Sequence, residues 1–253
     1  MIILYAATRN LYRHLPAAIR SLMHYNAAHV KKIVILAEDD KLPDDLELPE
    51  CIEVRNVVPD RDRYFDKSGP NFHGWFSWQA LLRVAYPAIL PEYDKILSLD
   101  VDTIVCDNIT PIWDTDMTGK WFAMVKEQVI PMVRKYPYRP PHDSYCNCGV
   151  LLMNLRQLRE DGWVRKFIYV ANNAAMDYIE QDIFNHYGWA RGKIIALPQR
   201  YNECIGCGYT DNPAIQHFAG VPNKWIYGDD FFRHEMLERW QKPIDFGPEF
   251  AEV

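Results

Sequence analysis

The stretch Lys95–Asp107, KILSLDVDTIVCD, decides how the rest of the chain is read. It opens as an apolar, strand-type run and then sets Asp100 and Asp102 one residue apart. Burying an unpaired carboxylate is costly, so two of them beside a core strand need a partner. Side-chain direction alternates along extended backbone, which would turn both carboxylates to one side. In an open parallel sheet, ligands bind beyond the carboxyl ends of the strands. Two like charges at that spacing repel unless a cation sits between them. Carboxylate oxygens suit Mg²⁺ and Mn²⁺, ions that also bind substrate phosphates. The expected chemistry of LDVD is therefore a divalent cation that carries a phosphorylated ligand. A polar turn after a strand is the plainer alternative. The apolar strand before the pair, TIV after it, and the lack of Gly or Pro weigh against an ordinary tight turn.

On either side of this stretch the chain reads as α/β. IILYAA (2–7), KKIVILAED (31–39) and CIEVRNV (51–57) are strand-type runs. Between the first two, Leu15, Ile19, Leu22 and Met23 recur at helical spacing. This β-α-β-β opening predicts a mostly parallel sheet with helices on both faces. GWFSWQALLRVAYPAIL (74–90) predicts a helix whose last turns Pro87 disturbs. WFAMV (121–125) and GVLLMNL (149–155) predict further strands. IEQDIFNHYG (179–188) predicts a short helix closed by Gly188. KIIALP (193–198) and AIQHFAG (214–220) read as short late strands, and DDFFRHEMLERW (229–240) as an amphipathic piece. The segment 130–143, with four prolines and a basic cluster, is the best candidate for a functional loop.

The chain has 253 residues, 49% hydrophobic and 25% charged, which fits a globular α/β protein. We expect one domain over 1–253, in two parts near 1–110 and 111–227, with a helical tail over 228–253. A net charge of −6 gives no basic field for nucleic acid. No apolar run approaches a membrane span. The first residues lack a basic segment before an apolar run, so the expected location is the cytoplasm, with at most peripheral membrane contact. The six cysteines are Cys51, Cys106, Cys146, Cys148, Cys204 and Cys207. CNC at 146–148 and CIGC at 204–207 match a four-ligand zinc site poorly, so packed, reduced thiols are expected.

A third ligand is available in IQHFAG. His217 follows a strand-like step and precedes the small-residue turn AG. A neutral imidazole is a good ligand for a borderline divalent metal. Lys224, in NKW, would reach a phosphate as a point charge.

With these residues in place the chain resembles the retaining, nucleotide-sugar-dependent glycosyltransferases of family 8, a family that includes bacterial lipopolysaccharide galactosyltransferases and glycogenin. The resemblance covers roughly residues 1–227. It rests on YAATRN, ALLRVAYPAILPEYDKILSLDVDTIV, PIWDTDM, CNCGVLLMNL, EQDIFN, LPQRYN and HFAGVPNKW, which stand in the family's order. It implies a GT-A fold, a UDP-galactose or UDP-glucose donor, and Mn²⁺ (or Mg²⁺) as the metal. By this resemblance Asp100, Asp102 and His217 hold the cation, with Val101 between the acids. Gly220 and Lys224 touch the diphosphate. Ala6, Ala7, Thr8 and Asn10 line the uridine pocket. Arg83 sits near the donor sugar and orders the acidic cluster, Asn147 lines the sugar site, and Gln181 lies beneath the anomeric carbon. The acceptor would be a hydroxyl of a glycan, glycolipid or protein.

The chain departs from the family pattern at Thr8, where an acid is usual, and at Leu11, where relatives carry an aromatic residue at or near that position. Glu180 also stands where related enzymes often have Asp. The expected reaction retains configuration through attack on the leaving-group face, with Gln181 positioning the reactants. Glu180 and Asp182 are the carboxylates nearest in sequence should a covalent route exist. Two alternatives use similar parts: a sugar-nucleotidyltransferase or sugar-nucleotide hydrolase, and a non-catalytic UDP-sugar-binding module.

Overall fold

The computed structural model describes residues 1–46, 48–73, 77–128, 144–204 and 210–219. The segment 130–143, Cys207, Gly220, Lys224 and the tail over 228–253 lie outside the described residues. The strands are β1 (Ile2–Ala6), β2 (Lys32–Ala37), β3 (Ile52–Asn56), β4 (Lys95–Leu99), β5 (Thr103–Val105), β6 (Phe122–Lys126), β7 (Cys146–Asn154), β8 (Ile194–Leu197), β9 (Glu203–Cys204) and β10 (Ile215–His217). The helices are α1 (Leu15–Asn26), α2 (Val58–Tyr64), α3 (Gln79–Ile89), α4 (Thr110–Trp113), α5 (Leu155–Glu160), α6 (Val164–Asn173) and α7 (Glu180–Ala190).

Seven strands form one sheet in the order β3-β2-β1-β4-β7-β6-β8. All neighbours run parallel except β7, which is antiparallel to both β4 and β6. Two apolar clusters lie on the two faces. On β1, Leu4 packs into one cluster while Ile3 and Tyr5 pack into the other, as the period-two alternation of a strand requires. α3, α6 and α7 cover the first face, and α1 covers the second. A strand buried on both faces reads as a continuous apolar run, which is why β1, β2 and β4 are recognisable in sequence.

A second, three-stranded sheet has the order β5-β10-β9. β10 runs antiparallel to β5, pairing His217 with Thr103 and Ile215 with Val105. This register carries His217 back to the residue that follows Asp102, across more than a hundred residues of sequence.

Three local expectations need correction. The helix expected over 74–90 is α3, which starts only at Gln79 and ends at Ile89, with Pro87 in its last turn as expected. Gly188 does not close the helix of 179–188; α7 continues to Ala190. A Cβ on Gly188 would lie 2.7 Å from the Ile194 side chain, so its bare backbone serves close packing against β8. Gly192, just past the helix end, takes the closing role with a φ of 62°, the left-handed conformation glycine tolerates. Third, β4 ends at Leu99, and residues 100–102 form a tight turn despite having neither Gly nor Pro. Thr103 stabilises that turn: its N–H and Oγ1 both donate to the Asp100 carbonyl, at 3.2 and 2.7 Å.

Candidate active site

The turn after β4 sets the first part of the site. The Asp100 N–H donates to the Gly149 carbonyl at 2.8 Å, tying the turn to β7. The Phe218 N–H donates to the Asp102 carbonyl at 3.0 Å, tying it to the end of β10. Held this way, a carboxylate oxygen of each aspartate and a ring nitrogen of His217 lie within 4.8 Å of one another. His217 Nε2 is 3.4 Å from Asp102 Oδ1 and 3.6 Å from Asp100 Oδ2. The two gaps are too long for direct hydrogen bonds. Donors in neighbouring positions around an octahedral ion, each at about 2.1 Å, are separated by about 3 Å, so the spacing suits a small divalent cation. Two carboxylates and one imidazole are a donor set for Mn²⁺ or Mg²⁺. Asp102 is 7% exposed and His217 3%, so both are held rigidly, while Asp100 stays partly open to solvent.

Arg83 approaches from α3. Its guanidinium bonds Asp100 Oδ1 and also Glu180 Oε1, the latter at 2.5 Å. Burial works against its charge, and Asp100 and Glu180 outweigh that, so Arg83 is held well above its ordinary range. Glu180 goes the other way. Burial pushes its carboxyl up to about 7, against the pull of Arg83. One guanidinium thus serves the buried Glu180 and the partly open Asp100, and leaves the second Asp100 oxygen facing His217.

The middle of the site is built on an irregularity. Between β6 and β7 the register jumps from Met124–Leu151 to Val125–Asn147. Bulges of this kind redirect side chains and release backbone groups from the ladder. The Cys148 N–H donates to Gln181 Oε1 at 2.9 Å, and the Gly149 N–H donates to Asn147 Oδ1 at 2.7 Å. Asn185 Oδ1 accepts from the Cys146 N–H at 2.7 Å. α7 is thereby stitched to the bulge by its polar first turns. Ile179, just before it, has φ 42°, a strained conformation for a β-branched residue at the entrance to EQD.

These bonds define what each candidate offers. The Gln181 amide oxygen is engaged by backbone, and its Nε2 lies 3.5 Å from Glu127 Oε2 and 3.4 Å from the Tyr145 hydroxyl. Both Asp182 oxygens are occupied, Oδ1 by the Tyr145 O–H at 2.5 Å and Oδ2 by the Tyr178 N–H at 2.9 Å. Burial and the adjacent Asp182 carboxylate keep Tyr145 protonated. Asn147 donates through Nδ2 to Glu127 Oε2 at 2.8 Å. Val101 is buried in an apolar cluster, so only its backbone is available to a ligand.

At the carboxyl ends of β1 and β2 lies the group assigned to uridine. Thr8 Oγ1 donates to Asn10 Oδ1 at 2.5 Å, and Ala6 is half-buried. Ala7 is fully buried in the core. Tyr12 is buried too, and its hydroxyl bonds Asp39 at 3.1 Å and the Glu38 N–H at 2.8 Å, so its ring is not a stacking platform.

Glu127, Asn202, Glu38 and Asp39 escaped the sequence reading. Glu127 and Glu38 each directly follow an apolar strand, the position where α/β sheets place ligand contacts, and that rule would have flagged them. Asn202 ends LPQRYN with no local cue to its partner. Cys51, Cys106, Cys146, Cys148 and Cys204 are free thiols. Burial pushes Cys106 and Cys146 up to about 12, far from reactive.

The model of "Glycosyl transferase family 8" matches residues 2–226. "Glycosyltransferase-like protein LARGE" of Caenorhabditis elegans is 30% identical over 152 residues, covering 54% of this chain and 24% of the relative. "Glycosyltransferase GlyF" of Streptococcus pneumoniae is 26% identical over 191 residues, covering 68% of this chain and 43% of the relative. This chain spans less than two thirds of the length of the curated relatives it matches. Among solved structures, the galactosyltransferase LgtC, crystallised with donor and acceptor sugar analogues, superposes with a TM-score of 0.69 at 20% identity, covering 99% of both chains. That likeness shows the fold, a GT-A α/β architecture, in agreement with the mixed seven-stranded sheet. With the family model matching almost its whole length, the chain belongs to glycosyl transferase family 8.

Proposed function

We propose that this chain is a metal-dependent, retaining hexosyltransferase. It would move galactose or glucose from a UDP-sugar to a hydroxyl of a glycan, glycolipid or protein. The observation that carries the reading is the convergence of Asp100, Asp102 and His217 at the carboxyl end of β4. These three would hold Mn²⁺ or Mg²⁺, which when bound supplies Lewis-acid stabilisation of charge on a departing diphosphate. Gly220 and Lys224 stand in the HFAGVPNKW run that begins at His217 and are assigned to the diphosphate.

The chain's own residues favour attack on the leaving-group face. The Gln181 oxygen is held by the Cys148 N–H, so Gln181 positions the reactants and does not attack. Both Asp182 oxygens have donors, and Glu180 is bound to Arg83 and shielded from solvent, which disfavours either as a covalent nucleophile. The acceptor hydroxyl then bonds to the anomeric carbon as the bond to the diphosphate oxygen breaks, and its proton passes to that oxygen. Glu127, half-buried beside Gln181, would align the Asn147 and Gln181 amides from which it accepts.

A thermal-shift screen of UDP-sugars with and without Mn²⁺, followed by product identification, tests this. Stabilisation that needs both partners, with UDP and a glycoside as products, is expected. Pyrophosphate would indicate a nucleotidyltransferase, free sugar alone a hydrolase, and tight UDP binding without turnover a binding module. Asp100→Ala should lower transfer about a thousandfold or more while the protein stays folded. Full activity in that variant, or in excess EDTA, would overturn the metal role.

A further inference from the structure

We propose that Asn202 is the positioning residue that makes His217 a metal ligand. It holds the proton on Nδ1 and leaves the Nε2 lone pair facing Asp100 and Asp102. The inference rests on the metal-dependent reading above.

The direction of the hydrogen bonds is set by groups that cannot reverse. The Gly149 backbone N–H can only donate, and it meets Asn147 Oδ1 at 2.7 Å. The other amide atom of Asn147 must therefore be its NH₂, and it meets a carboxylate oxygen of Glu127 at 2.8 Å. Asn202 approaches the same Asn147 oxygen at 3.0 Å, so it presents its own NH₂ there. Its oxygen is left toward His217 Nδ1, at 2.9 Å. An amide oxygen only accepts, so Nδ1 carries the proton. In the neutral ring the lone pair is then on Nε2, the atom nearest the two aspartates.

The ring's seat is equally restricted. A Cβ on Gly149 would lie 2.1 Å from His217 Cε1 and 2.5 Å from Nδ1, so the imidazole occupies the space a side chain would take. His217 is 3% exposed and Asn202 4%, which keeps water from replacing the Asn202 oxygen. Orientation thus comes from Gly149 and tautomer from Asn202, which is in turn aligned by Asn147 and Glu127. Partners that orient metal-binding histidines in this way typically change metal affinity about 10–100-fold when removed.

The test combines ¹⁵N-resolved imidazole NMR of the metal-free protein, near pH 9 where imidazoles are neutral, with Mn²⁺ titration followed by electron paramagnetic resonance. Wild-type His217 should show the Nδ1–H form. Asn202→Leu, similar in size but without an acceptor, should weaken Mn²⁺ binding about tenfold or more and mix the tautomers. Asn202→Asp, which keeps an acceptor, should retain Nδ1–H. An Nε2–H ring in the wild type or in Asn202→Asp overturns the proposal, whether or not Asn202→Leu folds. So does unchanged Mn²⁺ affinity in folded Asn202→Leu. A wild type that shows Nδ1–H but binds no Mn²⁺ instead defeats the metal-dependent reading, so the two failures are distinguishable.

Discussion

The β3-β2-β1 side of the sheet and the β7-β6 side are built from the same kinds of apolar residue but are held differently. On the first side five consecutive residues of β1 pair in register with β2, and five of β2 with β3. The second side breaks its ladder at Met124–Val125, and side chains of Gln181, Asn147 and Asn185 take over the released backbone groups. A continuous ladder gives a rigid wall. A broken one gives a place where amides and carboxylates are fixed in definite orientations next to the proposed metal position. Stability should thus be concentrated in one region and metal chemistry in the other.

Substitutions can break that division. Ile35→Ala, in the fully buried centre of β2, should cost about 2–5 kcal/mol of stability. Its Mn²⁺ affinity at a temperature where the variant is folded should stay at the wild-type value; urea unfolding and a metal titration measure the two. Gly149→Ala should do the reverse. The new methyl would strike the His217 ring, so Mn²⁺ binding should weaken about 10–100-fold. A Gly149→Ala protein that binds Mn²⁺ normally would show that the ring has a second seat. Gly188→Ala is the matched control. Its methyl would meet Ile194 at 2.7 Å and Phe122 at 3.5 Å, costing about 1–3 kcal/mol with metal binding intact.

The smallest effect concerns pH. Glu180 is raised from 4.5 to about 7 by burial, so the folded state holds its proton more tightly than the unfolded chain. Its favourable contribution is complete below pH 4.5 and is lost as pH rises to about 7. Relative to Glu180→Gln, metal-free wild type should therefore lose stability across that window, at no more than about 1.4 kcal/mol per pH unit. A difference that is flat or rises with pH would mean Glu180 is ionised throughout, paired with Arg83.

These two regions also differ in how far they can be read without coordinates. β1, β2, β3 and β4 show themselves because burial on one or both faces leaves a direct trace in residue type. The grouping of Asp100, Asp102 and His217 is foreshadowed because two carboxylates after an apolar strand would repel without a cation between them, and the setting of IQHFAG singles out the histidine. The DVD turn is not visible. Its stabilising bonds come from Thr103, and no Gly or Pro announces it. Gly188 and Gly192 look alike in sequence, and only the packing of Ile194 against the first separates their roles. Glu127 is foreshadowed only by its place after an apolar strand, whereas the partners of Asn202 depend on the bulge and on a small sheet that joins residues over a hundred positions apart, which no local pattern encodes.

Anomalous diffraction at the manganese edge, from crystals grown with Mn²⁺ and UDP, tests the central claim most directly. The expected result is one strong peak bonded at about 2.1–2.2 Å to Asp100, Asp102 and the Nε2 of His217, with diphosphate oxygens completing its shell. UDP bound in the site with no peak between those three residues would contradict it.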